Sequence, residues 1–114
     1  MAHLARDPGV SVLSVRDADG ALAPPRLRSG LAGASAASAP VIVDLTAVTS
    51  IDATTVGVLL EGLVECERGE RAFLLLLPAG DDAPVTRVFR RLGLAGLLPV
   101  VSSWDEAYRR AGAV

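Results

Sequence analysis

The sequence has a single cysteine, Cys66, a single histidine, His3, no lysine, and aromatic residues at only 4% of its 114 positions. One cysteine cannot close an intramolecular disulfide, so a disulfide framework of the kind secreted domains use is excluded and the cytoplasm is the expected location. A lone histidine near the amino terminus, and a cysteine with no second Cys or His near it, give no metal-ligand spacing and no Ser-His-Asp or Cys-His set. A Gly-x-Ser-x-Gly elbow and a Gly-rich phosphate-binding loop are also missing. No enzymatic activity, catalytic residue, metal or cofactor is therefore expected.

No apolar run approaches the ~18–20 residues that a membrane span needs. The first ten residues, with Arg6, Asp7 and Pro8, hold no apolar block of the kind a signal peptide carries. The 11 basic residues, all arginine, are scattered among 13 acidic ones for a net charge of -2, so the clustered basic face that nucleic acid requires is missing. The densest pairs, Arg90-Arg91 and Arg109-Arg110, each follow a helical apolar stripe and read as solvated charge at helix C-termini.

What is present is a chain of one domain's length, 51% hydrophobic, whose core must be built from Val, Leu, Ile and Ala rather than from rings. Residues 1–9 read as a loosely ordered tail before a single domain at 10–114. Val10, Val12, Leu13 and Val15 make a strand that stops at Asp17-Ala18-Asp19-Gly20, where the Asp-Gly pair signals a hairpin with Ala21 and Leu22 opening the return strand. Pro24-Pro25 suits the first turn of a helix running through Leu27 and Leu31. Gly33 to Pro40, rich in small residues, reads as a surface linker.

Val41 to Leu45 is a β-branched run expected of a strand covered on both faces. From Val56, the apolar positions Val56, Leu59, Leu60, Leu63 and Val64 follow the spacing of a half-buried helix that Arg68-Gly69 can end. Phe73 to Leu77 predicts a second buried strand, and Pro84 starts a helix with Val85, Val88, Phe89 and Leu92 on its apolar side. Leu97 to Val101 is the last strand candidate. Ser103 and Glu106 have capping-box spacing before a helix with Trp104, Ala107, Tyr108 and Ala111 on its apolar face. Strands alternating with amphipathic helices imply an α/β sandwich with a mixed, mostly parallel sheet of four to five strands and four helices.

The informative stretch is Asp44 to Leu60, DLTAVTSIDATTVGVLL. A buried strand ends near Leu45, a loop follows, and Asp52-Ala53-Thr54-Thr55 stands immediately before a helix. Carboxylate and hydroxyl side chains there can cap unsatisfied backbone N–H groups, which needs no regulation. A threonine hydroxyl at a helix start can also accept a phosphate, because the helix dipole favours an anion there and the added charge of ~-1.5 to -2 need not unwind the helix.

This stretch resembles the signature of the STAS family, named for sulphate transporters and anti-sigma factor antagonists, which reads approximately Asp-Leu-Ser-x-Val-x-Phe-Ile-Asp-Ser-Ser-Gly-Leu-Gly-x-Leu. Asp44, Leu45, Thr46, Val48, Ile51, Asp52, Val56, Gly57 and Leu59 stand at or close to those types. Val85 to Leu94 is similar to the family's third helix with its Leu-x-Gly-Leu end, Leu98 to Ala107 to its last strand and helix, and Gly20-x-Leu22 to its opening hairpin. Three positions depart from the pattern: Ala53 replaces the first hydroxyl residue, Thr55 the usual glycine, and Ala23 a common aspartate. A β-branched Thr55 cannot take positive φ cheaply.

The resemblance implies a stand-alone anti-sigma factor antagonist that binds a serine/threonine-kinase anti-sigma factor and is switched by phosphorylation at Thr54, with Thr55 the second candidate. It implies a partner-binding surface of Asp52, Ala53, Thr54, Thr55, Asp19 and Gly20, and a phosphatase as a further partner. Neither nucleic acid nor membrane is expected to bind. The alternative is a scaffold subunit without a phosphorylation switch, in a larger signalling or transporter-associated complex.

Overall fold

A computed structural model describes residues 3–7, 9–16, 23–36, 39–80 and 82–112. His3–Asp7 (β1) runs antiparallel to Val10–Arg16 (β2), and β2 is followed across the sheet by Val41–Ala47 (β3), Phe73–Leu76 (β4) and Val100–Val101 (β5), all mutually parallel. The helices are Pro24–Ser35 (α1), Ala53–Arg68 (α2), Pro84–Arg91 (α3) and Trp104–Arg110 (α4). This is the mixed, mostly parallel α/β sandwich that the sequence pattern predicts.

Alternation along the strands divides the core in two. Leu13, Val15, Val41, Val43, Leu45, Phe73 and Leu75 meet the apolar sides of α1, α2 and α3. Val10, Val12, Ile42, Leu74 and Leu76 point the other way and are closed by Ala107 and Ala111 beside α4, with Tyr108 packed at the edge. Strands buried on both faces need continuous apolar runs, which explains why β3 and β4 lack a polar alternation over most of their length. Each helix is entered from the C-terminal end of a parallel strand. Both α1 and α3 begin on proline without a side-chain cap, since the missing N–H is one that no intrahelical acceptor would have met.

Several elements differ from the sequence reading. Within the stretch read as a tail, His3–Asp7 is a strand whose register pairs Asp7 with Val10 across residues 8–9, with Gly9 at φ 83°. A hairpin thus precedes β2, and β2 is flanked by β1 and β3. The Asp19-Gly20 turn and the return strand at Ala21-Leu22 lie outside the described residues.

The small-residue linker begins as helix. Gly33, Ala34 and Ser35 complete α1, and Ala34 is fully buried, because an alanine with no long side chain lets the helix end lie directly on the sheet. The Arg71 guanidinium donates to the carbonyls of Ser35 and Ala39 at 3.1 and 3.3 Å, which ties the end of α1 to the turn before β4.

The last strand is shorter than Leu97 to Val101. Gly93 at φ 69° ends the α3 segment, Leu94–Gly96 forms a 3-10 turn, and Pro99 has no N–H to give the ladder, so pairing starts at Val100. Leu92 and Leu97, read as apolar face and strand, are exposed. Trp104 is 41% exposed although its spacing put it on the buried side of α4. The capping box forms with a shift of one residue: Ser103 Oγ accepts from the Glu106 N–H at 3.1 Å, while Glu106 reaches the Ser102 N–H at 3.4 Å.

Candidate functional site

The loop from β3 to α2 is built by its own side chains. Asp44 Oδ1 accepts from the Thr46 N–H at 2.9 Å and the Thr46 hydroxyl at 2.6 Å, and its Oδ2 accepts from Ser14 Oγ at 3.3 Å. These bonds lie at the end of β3, where its pairing with β2 shifts register between Ser14 and Arg16. Val48 and Ile51 are buried and pin the loop to the core, leaving Thr49 and Ser50 at the surface. The chain then enters α2 at Ala53, three residues earlier than the apolar stripe alone suggests.

Asp52 is the N-cap. Its backbone is extended, and its carboxylate accepts the Thr55 N–H at 2.8 Å. The Thr55 hydroxyl and the Thr54 N–H also favour the charged form, so the carboxyl group is held below its ordinary value. Ala53 and Thr54 form the exposed first turn. Thr55, one residue on, is only 3% exposed. It lies in regular helix, and the described residues outside glycine include only Glu70 at positive φ, so a β-branched side chain replaces the family's glycine without backbone strain.

The structure therefore brings Asp52, Ala53, Thr54 and Thr55 together at one helix start, and separates the two threonines by burial. Asp19 and Gly20 lie outside the described residues.

The outer side of α2 continues from Thr54. The predicted apolar stripe is rotated relative to the observed one: the buried positions are Thr55, Val56, Val58, Leu59, Gly62 and Cys66, whereas Val64 is 47% exposed. The spacing of Thr55, Leu59, Gly62 and Cys66 is itself a helical face. It escapes a reading based on bulky residues because three of its members are small. Burial pushes the Cys66 thiol up, away from thiolate character.

On the outer face, a shallow groove of about 440 Å³ is lined by Gly57, Leu60, Glu61, Val64, Glu65 and Arg68. A second groove of about 460 Å³ lies between α1 and α2, where Arg28 and Glu61 form a two-pronged ion pair at 3.1 and 3.0 Å. Both partners of that pair are more than half exposed, so it orients the two helices more than it stabilises them. No helix of the described residues is long and apolar enough to cross a membrane.

Comparison with known proteins gives the site its context. No curated protein sequence matches this chain. Among solved structures, an anti-sigma factor antagonist from Mycobacterium paratuberculosis is 23% identical with a TM-score of 0.78, over 97% of this chain and 92% of that one. An anti-sigma-factor antagonist (STAS) domain protein from Planctomyces limnophilus is 17% identical with a TM-score of 0.70, over 97% of each chain. At these identities the likeness is one of fold. The STAS domain family matches residues 4–107, from within β1 into α4, and the chain belongs to that family.

Proposed function

We propose that this protein is an anti-sigma factor antagonist that captures a kinase-type anti-sigma factor through Asp52, Ala53, Thr54 and Thr55 together with the adjoining outer side of α2. Phosphorylation at Thr54 switches it off. The observation that carries this reading is the different burial of two adjacent hydroxyls: Thr54 is exposed in the first turn of α2, while Thr55 is buried against Asp52. A kinase can reach the first and not the second. The role of the structural neighbours from Mycobacterium paratuberculosis and Planctomyces limnophilus supports the same reading.

The step moves the γ-phosphoryl group of ATP onto Thr54 Oγ1, releasing ADP and the hydroxyl proton. The product carries ~-1.5 to -2 charge beside the Asp52 carboxylate. The positive end of α2 tolerates the anion, so the fold persists. A partner that must bury it uncompensated loses several kcal/mol, on the order of 3–5. A phosphatase restores the free hydroxyl. The function is binding rather than catalysis, and the cytoplasm, where sigma factors act, is the compartment it fits.

The test pairs substitution with mass analysis. Incubation with a purified kinase-type anti-sigma factor and ATP is expected to add one phosphate, at Thr54 and not at Thr55. Thr54→Ala should block labelling and keep capture, whereas Thr54→Glu should lose capture. Equal binding by the two variants, with no labelling, would leave the non-switching scaffold as the better reading.

A further inference from the structure

The two edges of the sheet are built differently. At one edge, β5 is two residues long, and Pro99 before it has no N–H to offer. The Pro99 and Val101 carbonyls accept from the Leu75 and Leu77 N–H groups, which leaves Val100 facing outward, and there Arg110 reaches the Val100 carbonyl at 3.5 Å. A strand so short, with an arginine laid on its free carbonyl, offers little to another chain. At the other edge, β1 is five residues long and has β2 on one side and no strand on the other among the described residues.

The register of β1 decides which of its backbone groups are left over. Asp7 pairs with Val10 across residues 8–9, and a connection that short closes on two residues that exchange their own N–H and C=O groups. Ala5 with Val12, and His3 with Ser14, are pairs of the same kind further along the ladder. The N–H and C=O groups of Leu4 and Arg6 therefore face away from β2, toward the open edge.

A second copy of β1 fits those groups in one register. An antiparallel partner must set outward-facing residues opposite one another, which leaves three ways to align the strand with itself. Arg6 opposite Arg6 puts like charges together. Leu4 opposite Leu4 carries Arg6 and Asp7 past the end of the partner strand. Leu4 opposite Arg6 overlaps the whole of β1, centres on Ala5 and, by symmetry, sets His3 opposite Asp7 at both ends. These are the closely spaced, non-hydrogen-bonded positions, and an imidazole and a carboxylate complement each other there in charge and in hydrogen bonding.

We propose that the chain forms a two-fold dimer by antiparallel pairing of β1 with the β1 of a second copy, centred on Ala5, so that two five-stranded sheets become one. β2 separates this edge from β3, whose loop leads to Asp52 and Thr54, so dimer formation and the reading of Thr54 stand or fall separately.

The test is sedimentation equilibrium of the whole chain over a concentration series, with a thermal melt of each variant at a concentration where the wild type is monomeric. The wild type should distribute between monomer and dimer. Leu4→Pro removes an outward N–H rather than one that β2 uses, so it should melt near the wild type and lose the dimer. His3→Asp sets an aspartate opposite Asp7, and Asp7→Arg sets an arginine opposite His3. Each should raise the dimer dissociation constant at least about tenfold. The double variant His3→Asp/Asp7→Arg sets opposite charges face to face again and should restore the wild-type constant.

A wild-type chain that stays monomeric up to millimolar concentration would overturn the proposal. A dimer retained in Leu4→Pro and in both single charge variants would place the contact elsewhere and overturn it too. A double variant as weak as the single ones would overturn the register centred on Ala5. If Leu4→Pro fails to fold, the charge exchange decides by itself.

Discussion

The inner and outer sides of α2 obey opposite rules. The inner side, with Thr55, Leu59, Gly62 and Cys66, is set by volume: each residue is buried, and Gly62 is a glycine because Phe73 and Leu31 occupy the space beside it. The outer side, with Thr54, Gly57 and Val64, carries residues that no core contact of the fold requires. An exposed hydroxyl, an unneeded glycine and a half-exposed valine occupy positions where alanine, glutamate or lysine would serve a helix better. Adjacent residues of the same type therefore differ in what a substitution tests. Position on the helix, rather than residue type, separates the side chains that hold the fold from those left at its surface.

Three experiments would sharpen or break that division. The largest effect belongs to Gly62→Val, whose branched side chain must displace the Phe73 ring or Leu31. It should destabilise the protein by about 1–3 kcal/mol, the usual range for overpacking, read in a denaturant melt. A neutral outcome would mean that α2 can lift from the sheet, and that the inner side is looser than its burial implies.

Thr55→Val keeps the volume and removes the buried hydroxyl. It should cost about 1 kcal/mol, and in an NMR titration the Asp52 carboxyl should move up toward its ordinary value near 3.8. The sign follows from linkage. Asp52 has a folded-state value below the unfolded one, so its contribution is present above 3.8 and is lost as pH falls through the lower, folded-state value. Acid melts of wild type and Thr55→Val should differ above that window and converge below it. An Asp52 carboxyl that titrates alike in both proteins would break the link between the two residues.

The smallest expected effect is Thr54→Ala, which should leave stability within about 0.5 kcal/mol of wild type. A larger loss in a thermal melt would make Thr54 part of the fold and remove the contrast with its neighbour.

Much of this arrangement was legible before any coordinates. The runs at Val41 to Leu45 and Phe73 to Leu77 announce strands buried on two faces, and both form. The Ser103–Glu106 spacing announces a cap, which forms with Glu106 reaching one residue further back. Asp52 before Thr54-Thr55 marks a helix start, although the first turn contains no bulky residue to date it. The differences in burial share one cause. Ala34, Gly62, Cys66 and Thr55 are small residues at tight contacts, and a search for large apolar side chains passes over them while promoting Val64, Leu92, Leu97 and Trp104, all of them exposed. β1 was missed because HLARD carries too little β-branched patterning to stand as a strand without β2 beside it.

The sequence by itself determined the alternation of strands and helices, the family signature from Asp44 to Leu59, and the nomination of Thr54. These are local matters of periodicity, capping chemistry and residue order. Only the tertiary structure decided which threonine faces solvent, which glycine has a steric reason, and how the outer side of α2 continues from the hydroxyl. Each of those depends on what stands opposite a side chain, and that is supplied by residues distant in the chain, Phe73 and Leu31 above all.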